Sequence, residues 1–208
     1  MFISVEGPDG SGKTTQLTLL GEFLVRQGYD FCITREPGGT AIGEQIRNIV
    51  HDTKNDEMES RAEILLYSAS RAQIVGEVIR PALAEGKIVL CDRFYDSTLA
   101  YQGYGRQLDL DSLRLITTFA TGGLKPDMTL YFDVQPEEGL RRRQKDSAAE
   151  WNRLDAVGLE FHKRVHEGYR ALIAEEPERW VVIDANRPAE VIQVQVQEIV
   201  VARLEKPL

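Results

Sequence analysis

A glycine-rich loop near the N-terminus has the residue types and the spacing to bind a polyphosphate. Residues 7–14 match the pattern G-x-x-x-x-G-K-[ST] at every fixed position. Gly10 and Gly12 allow the backbone N–H groups to turn towards a phosphate. Lys13 can reach the β- and γ-phosphates, and the Thr14 hydroxyl can ligate Mg²⁺ directly or through water. The loop predicts nucleoside triphosphate binding but does not select the acceptor.

An acidic residue stands at the end of the apolar run at residues 87–92. Asp92 ends this run and Arg93 comes directly after it. The carboxyl ends of strands form the crevice where α/β sheets bind their ligands. We therefore expect Asp92 to hold a metal-bound water and Arg93 to clamp an acceptor phosphate or the transferring phosphoryl group. A surface ion pair is the alternative for either residue.

Three arginines are predicted to converge beside the phosphate loop. Arg35 and Glu36 begin a proline- and glycine-rich loop at residues 35–40, and Arg47 lies on the helix that follows. Together with Arg93 they suit a phosphomonoester acceptor, because a guanidinium engages phosphate oxygens bidentately. The guanine-reading motif Asn-Lys-x-Asp is absent from the sequence, which disfavours a GTPase switch.

Two further features have both a functional and an ordinary interpretation. Tyr67 and Arg71 are four residues apart and so share a helix face, where they could stack on a planar base and donate to its carbonyl. The alternative is a core tyrosine beside a surface arginine.

The charged stretch at 141–153 has no apolar stripe and is typical of a surface loop or lid, or else of a solvated helix end.

The elements that position these residues alternate along the chain. Five apolar runs predict strands at 2–6, 30–34, 87–92, 128–134 and 180–184. Helical spacing follows Lys13 and recurs at 42–51, 58–85, 111–120, 160–175 and 189–205. The alternation predicts an α/β fold, with a five-stranded parallel sheet covered by helices on both faces.

Composition excludes several classes of protein. The 208 residues carry a net charge of −8, which disfavours a broad nucleic-acid surface. Only Cys32 and Cys91 are present, without the spacing of a disulfide framework or a zinc site. The N-terminus lacks a basic signal region and no apolar run approaches a membrane span, so we expect a cytoplasmic protein with no membrane partner.

The motifs together resemble those of thymidylate kinase, over essentially the whole chain. Besides the phosphate loop, the similar segments are Thr-Arg-Glu-Pro-Gly-Gly-Thr at 34–40, Leu-Tyr-Ser-Ala-Ser-Arg at 66–71, Asp-Arg-Phe at 92–94 and Ser-Thr-Leu-Ala-Tyr-Gln-Gly at 97–103. The loop glycine at 10 and an arginine-rich lid resemble the bacterial type. The resemblance implies a single P-loop kinase domain over 1–208, with a lid at about 139–155, that phosphorylates dTMP with ATP and Mg²⁺ as a homodimer.

The resemblance also assigns roles to individual residues. Those implied for the nucleotide are Gly7, Pro8, Asp9, Gly10, Ser11, Gly12, Lys13, Thr14, Thr15 and Arg187, the last packing on adenine. Those implied for dTMP are Asp9, Arg35, Glu36, Arg47, Tyr67, Arg71, Arg93, Ser97, Thr98, Tyr101 and Gln102.

Within the dTMP set, Asp9 resembles the carboxylate that binds the 3′-hydroxyl, and Tyr67 the ring that stacks on thymine. Arg71 is similar to the thymine-carbonyl donor, and Tyr101 to the ring under the sugar. Thr98 and Gln102 resemble polar contacts to the base. These roles are carried over from the family motifs at matching positions.

Catalysis is expected from Lys13 and Arg93 together with a lid arginine. The lid ends in Asn-Arg-Leu-Asp at 152–155, where the family more often has Asp-Arg-hydrophobic-Glu. Arg142, Arg143 and Arg153 therefore all remain candidates for the transition-state charge. Rival functions are a kinase for another nucleoside or nucleoside monophosphate, and a P-loop ATP-binding module that regulates a partner.

Overall fold

The computed structural model describes residues 1–145 and 152–205 of the chain. Its centre is a sheet of five strands, β1 (Phe2–Glu6), β2 (Phe31–Arg35), β3 (Ile88–Asp92), β4 (Met128–Asp133) and β5 (Trp180–Asp184). The order is β2-β3-β1-β4-β5 and every neighbouring pair is parallel. The predicted five-stranded parallel sheet is confirmed.

The strand order places the phosphate loop at the middle of the sheet. The chain leaves β1 towards β2 on one side, whereas the neighbouring β4 leads to β5 on the other side. Strands whose connections diverge in this way leave a crevice beyond their carboxyl ends, where α/β proteins bind ligands. Val5 pairs with Asp92 across β1 and β3, so the phosphate loop and Arg93 start at the same edge.

Nine helices and two π-helical segments surround the sheet within the described residues. The helices are α1 (Lys13–Arg26), α2 (Ala41–His51), α3 (Ser60–Ile74), α4 (Arg80–Ala84), α5 (Tyr95–Thr98), α6 (Leu110–Thr121), α7 (Pro136–Lys145), α8 (Leu159–Glu175) and α9 (Ala189–Leu204). The π-helical segments are Val75–Ile79 and Leu99–Gly105.

The two faces of the sheet are buried by different helices because side chains alternate along each strand. Ile3 and Val5 of β1 pack in one cluster with residues of α1 and α9. On the opposite face, Phe2 packs with the end of α3 and the first π-helical segment. Tyr131 of β4 and Trp180 of β5 pack with α8 on that same face. Helices on both faces were predicted and are confirmed.

The longest predicted helix, 58–85, is interrupted. It runs as α3, the π-helical segment Val75–Ile79 and α4. Pro81 lies at the start of α4 and has no N–H to donate to the Glu77 carbonyl four residues earlier. A wider turn immediately before the proline accommodates the missing bond. Sequence periodicity alone did not reveal this change of pitch.

Of the two interpretations of 141–153, the solvated helix end is correct for its first residues and the loop or lid is wrong there, because 141–145 form the end of α7. Glu138 accepts hydrogen bonds at 2.7 Å from Arg141 and Arg142, three and four residues later. Such pairs stabilise a helix that has no apolar stripe. Residues 146–151, in the middle of the predicted lid, lie outside the described residues. Among the helices that are described, none has the length and apolar character needed to span a bilayer.

A buried ion pair ties the segment after β3 to the entry of β5. Both carboxylate oxygens of Asp96, in α5, accept from Arg179, at 2.7 and 2.8 Å. Arg179 also donates to the Thr129 hydroxyl of β4 at 2.6 Å. Asp96 is completely buried. The pair therefore holds the chain that directly follows Arg93 in one position.

We predict that Asp96→Asn lowers the free energy of unfolding by about 3 kcal/mol, because it removes the buried carboxylate partner of Arg179 and leaves only the partly exposed Glu176 to compensate its charge. The matched control is Glu175→Gln, which breaks the half-exposed Arg114–Glu175 pair of 2.7 Å and should cost less than about 1 kcal/mol. Urea unfolding of the two variants measures both values. Equal losses would contradict a special role for the buried pair.

Candidate active site

A cavity of roughly 500 Å³ opens at the carboxyl ends of β1, β2 and β3. Most of the residues singled out from the sequence line it: Asp9, Gly10, Gly12, Lys13, Thr14, Thr15, Arg35, Glu36, Arg47, Tyr67, Arg71, Asp92, Arg93, Ser97, Thr98, Tyr101, Gln102, Arg142 and Arg143. Five others are not on its wall, namely Gly7, Pro8, Ser11, Arg153 and Arg187. The first three of these form the back of the phosphate loop.

The phosphate loop requires its glycines for backbone reasons. Gly10 has φ +78°, and a Cβ there would lie 2.2 Å from the Gly139 carbonyl oxygen of α7. Gly12 has φ +86° and directly precedes α1. Both values fall in the left-handed region that glycine adopts without strain. The N-terminus of α1 then faces the cavity with unsatisfied N–H groups and a partial positive charge, which favours an anion.

Lys13 is folded back into the loop. Its ammonium donates to the carbonyl oxygens of Gly7 at 3.0 Å and Pro8 at 2.8 Å. Burial, followed by the positive charge of Arg93, lowers the pKa of Lys13 to about 8. The ammonium is thus a buried cation whose charged form a bound polyphosphate would stabilise.

Thr14 and Asp92 together offer oxygen ligands to a magnesium ion. The Thr14 hydroxyl donates to Asp92 Oδ2 at 3.0 Å. Within the described residues there is no cluster of three or more His, Cys, Asp or Glu side chains able to hold a metal. The pair therefore fits an ion that takes its remaining ligands from phosphate and water, as Mg²⁺ usually does.

Arg93 is held at the cavity by several side chains. It has φ +70°, a strained value for a residue with a side chain. Its guanidinium donates to Asp9 at 2.9 Å, Ser97 at 3.1 Å, Tyr101 at 3.2 Å and Tyr169 at 3.3 Å. It also lies 5.0 Å from the centre of the Tyr101 ring. Four elements of the fold thereby define one guanidinium position.

Asp9 is the acidic partner of this arginine. Burial alone would raise the pKa of Asp9, but the charges of Arg93 and Lys13 hold it well below its usual range. Its second oxygen accepts from the Tyr101 hydroxyl at 3.3 Å. Asp9 is therefore ionised throughout the physiological range and can accept a hydrogen bond from a ligand hydroxyl.

Beneath Arg93 lies a carboxylate that the sequence interpretation missed. Glu6, the last residue of β1, is completely buried and accepts from the Phe94 backbone N–H at 2.7 Å. It also accepts from the hydroxyls of Ser97 at 2.6 Å and Tyr169 at 2.8 Å, the two that contact Arg93. Burial, and then the nearby Asp96, raises the pKa of Glu6. An acidic residue at the end of a buried strand was the available signal.

The predicted arginine cluster is present, but each member has a different partner. Arg35 donates to both oxygens of Glu44, at 2.8 and 2.9 Å, on a half-exposed edge. Arg47 donates to the Pro37 carbonyl at 3.0 Å. Both line the same cavity as Arg93. The three arginines therefore share one cavity with the phosphate loop, and Arg35 and Arg93 are ion-paired there with Glu44 and Asp9.

Arg71 is only 2% exposed, so the alternative of a surface arginine is wrong. Its Nε donates to Glu36 Oε2 at 2.8 Å. Burial raises the pKa of Glu36 to about 7, although the charge of Arg71 opposes the shift. Arg71 Nη1 is buried with no hydrogen-bond partner in the described part of the chain. Arg71 and Tyr67 both line the cavity, so this unsatisfied donor belongs to a residue of the cavity wall.

The three candidate lid arginines separate into two groups. Arg142 donates to Glu138 at 2.7 Å and to the Ala185 carbonyl at 2.8 Å, and Arg143 donates to Asp155 at 3.2 Å. Both of these arginines line the cavity. Arg153 is instead buried against Glu63 and the Val50 carbonyl, away from the cavity wall.

Arg187 lies elsewhere on the surface. It contacts Gln195 at 3.4 Å in a shallow depression along α9. The main cavity is also lined by five residues that were not proposed as site residues, namely Pro37, His51, Phe94, Asn152 and Leu154. Burial and the charge of Arg47 lower the pKa of His51 to about 4, so its ring is neutral at physiological pH.

Comparison with known proteins agrees with this geometry. The family profile described as "Thymidylate kinase" matches residues 5–196. A thymidylate kinase of Roseiflexus castenholzii is 54% identical over 96% of this chain and 92% of its own length. A thymidylate kinase of an Exiguobacterium species is 51% identical over 99% of this chain and 96% of its own length. The crystal structure of a thymidylate kinase from Ehrlichia chaffeensis superposes with a TM-score of 0.78, at 33% identity, over 96% of this chain and 97% of that one.

The buried ammonium predicts how nucleotide affinity depends on pH. A bound polyphosphate favours charged Lys13, so its pKa in the complex lies above the value of about 8 in the free protein. Affinity for ADP should therefore stay constant below pH 8 and fall as the pH rises through 8, by at most about tenfold per pH unit.

Titration calorimetry between pH 7 and 9.5, at constant ionic strength and magnesium concentration, measures this dependence. Lys13→Met provides the control, because it removes the titrating group and should bind ADP weakly with no slope in this range. A slope that is the same in both proteins would assign the proton to another group.

Proposed function

The chain belongs to the thymidylate kinase family, and on that premise we propose which of its side chains carry out the reaction of this family. The reaction is transfer of the γ-phosphoryl group of ATP to dTMP, which gives dTDP and ADP. The observation that supports the assignment most strongly is that Arg35, Arg47 and Arg93 line the same cavity as the phosphate loop. Two polyanions can meet there only if their repulsion is offset.

ATP is the donor, and the phosphate loop is the place we assign to it. The backbone N–H groups of the loop and the N-terminus of α1 face its β- and γ-phosphates, and Lys13 exchanges its bonds to loop carbonyls for phosphate oxygens. Thr14 and Asp92 would hold Mg²⁺. When bound, the ion neutralises charge on the β- and γ-phosphates.

The acceptor dTMP is proposed to lie across the remainder of the cavity. Asp9, which is ionised, accepts from the 3′-hydroxyl, and the Tyr101 ring lies under the sugar. Arg71 Nη1, which has no protein partner in the described ranges, donates to a thymine carbonyl. Tyr67 stacks on the base, and Thr98 and Gln102 contact its edge.

Arg93 is proposed as the residue that bridges the two phosphates. The acceptor phosphate is already a nucleophilic anion, so the protein needs to align it and to neutralise charge rather than to remove a proton. Arg142 or Arg143 is proposed to add charge at the equatorial oxygens of the transferring group, since both line the cavity. We do not assign this role to Arg153, because it is committed to Glu63.

An exposed apolar surface on α6 and α3 is the basis of a proposal about the oligomeric state. Phe119 and Leu115 of α6 are 89% and 75% exposed, and Leu65 of the adjacent α3 is also exposed. Neighbouring exposed apolar side chains of this size favour a protein interface, and we propose that it joins two copies of this chain as a homodimer. A cytoplasmic location and the absence of a nucleic-acid partner stay predictions from the sequence.

The test of the proposed function is a coupled assay of ADP release with a panel of acceptors. Wild-type protein should turn over dTMP faster than dCMP or thymidine. Arg93→Ala should lower kcat by on the order of 10³-fold, because the bridging charge is lost. Circular dichroism and urea unfolding show whether the variant is folded, and Arg26→Ala, at an exposed pair on α1, serves as the matched arginine control.

An Arg93→Ala variant with unchanged kcat would overturn the bridging role. A preference for dCMP or thymidine would favour a kinase for another acceptor. ATP hydrolysis that is indifferent to every acceptor would favour a regulatory ATP-binding module.

The proposed interface makes a separate prediction. Phe119→Asp should convert the homodimer to a monomer, because it places a charge in an apolar contact. The control is Val25→Asp on α1, which is 64% exposed on the other side of the sheet and should leave the mass unchanged. Sedimentation equilibrium of both variants measures the mass. A monomeric wild type would refute the homodimer, whereas a dimeric Phe119→Asp variant would place its interface elsewhere.

A further inference from the structure

A buried carboxylate on α3 contacts Gln102 of the cavity wall. Glu63 is completely buried. Its Oε1 accepts from Gln102 Nε2 at 2.8 Å and from Arg106 Nε at 2.9 Å. Its Oε2 accepts from Arg106 Nη2 at 2.9 Å and from Arg153 Nη2. Two guanidinium groups and one amide therefore use every available direction of this carboxylate.

Glu63 cannot act as a donor in this arrangement. Burial opposes ionisation, but hydrogen bonds from Arg106, Gln102 and Arg153 lower the pKa of Glu63 below its usual value. An ionised carboxylate only accepts hydrogen bonds. Gln102 must consequently present the NH₂ group of its amide to Glu63, and not the carbonyl oxygen.

The orientation of Gln102 follows from this constraint. Gln102 is almost completely buried in the second π-helical segment, and it lines the cavity. With Nε2 committed to Glu63, Oε1 is left for the cavity, and it accepts no hydrogen bond within the described residues. The amide, which could in principle present either a donor or an acceptor, presents an acceptor.

We propose that Glu63 is a specificity-determining residue that makes the enzyme select pyrimidines with an N–H at ring position 3. Thymine and uracil carry this donor, whereas cytosine has a lone pair there. The Gln102 carbonyl oxygen accepts a hydrogen bond from the N3–H of thymine or uracil, whereas it repels the N3 lone pair of cytosine. This inference rests on the proposed binding of dTMP in the cavity, and it adds a reason why the site rejects cytosine nucleotides.

The isosteric substitution Glu63→Gln should reverse the amide of Gln102. In the variant, the amide oxygen at position 63 takes the place of Oε2, because that place receives hydrogen bonds from two guanidinium groups. The NH₂ group then takes the place of Oε1, where only one guanidinium donor, Arg106 Nε–H, loses its acceptor, and it donates to Gln102. Gln102 must present its oxygen to this donor, which turns its own NH₂ group towards the cavity.

The experiment compares kcat/KM for dTMP, dUMP and dCMP in wild type and Glu63→Gln. We expect the ratio of dCMP to dTMP to rise by roughly 10- to 100-fold, the effect of exchanging one unpaired buried group for a paired one. The ratio of dUMP to dTMP should not change, since both bases carry the N3 donor. A general loosening of the site would lower all three values together and leave both ratios where they were.

Two further variants separate the orientation of Gln102 from the loss of charge around it. Arg106→Gln breaks the ion pair but keeps the carboxylate facing Gln102, so it should retain the wild-type ratio of dCMP to dTMP. Gln102→Leu removes the oriented amide, so adding Glu63→Gln to it should have no further effect on that ratio.

An unchanged ratio in Glu63→Gln, or an equal shift in Arg106→Gln, would overturn the role of Glu63 while leaving dTMP kinase activity in place. If wild type itself does not prefer dTMP, the proposed function fails instead, so the two failures are distinct.

Discussion

The interaction on which the rest of the site depends is the fixed position of one guanidinium. Arg93 hydrogen-bonds to Asp9, Ser97, Tyr101 and Tyr169, and its backbone adopts φ +70° to reach them. A cation held in advance by several partners needs no reorganisation when charge develops beside it, which is the condition for effective electrostatic catalysis. The buried Glu6 below orients the two hydroxyls that hold this arginine.

The architecture serves this arrangement by bringing distant parts of the chain to one edge. Parallel pairing of β1 with β3 sets the phosphate loop beside Arg93, and the Asp96–Arg179 pair anchors the segment that follows it. The same edge receives α3, which supplies Tyr67, Arg71 and Glu63. The phosphate loop, Arg93 and the residues of α3 are therefore parts of one surface around the sheet.

Much of this could be predicted from the sequence, because local signals determine it. The phosphate loop has fixed spacing, and the five strands are continuous apolar runs whose ends were correct to within one residue. The contacts of Glu6, Tyr169 and Glu63 could not be predicted. Glu6 and Tyr169 are 163 positions apart and meet only in the folded chain. Arg153, in a charged stretch, gave no sign that it turns inward to Glu63.

The central claim is that Arg93 neutralises the repulsion between two phosphates, and a crystal structure with dTMP and ADP bound together tests it most directly. The account predicts the Arg93 guanidinium within hydrogen-bonding distance of both the dTMP phosphate and the β-phosphate of ADP, with Asp9 on the 3′-hydroxyl. A dTMP phosphate bound out of reach of Arg93, with that arginine still paired only to Asp9, would contradict it.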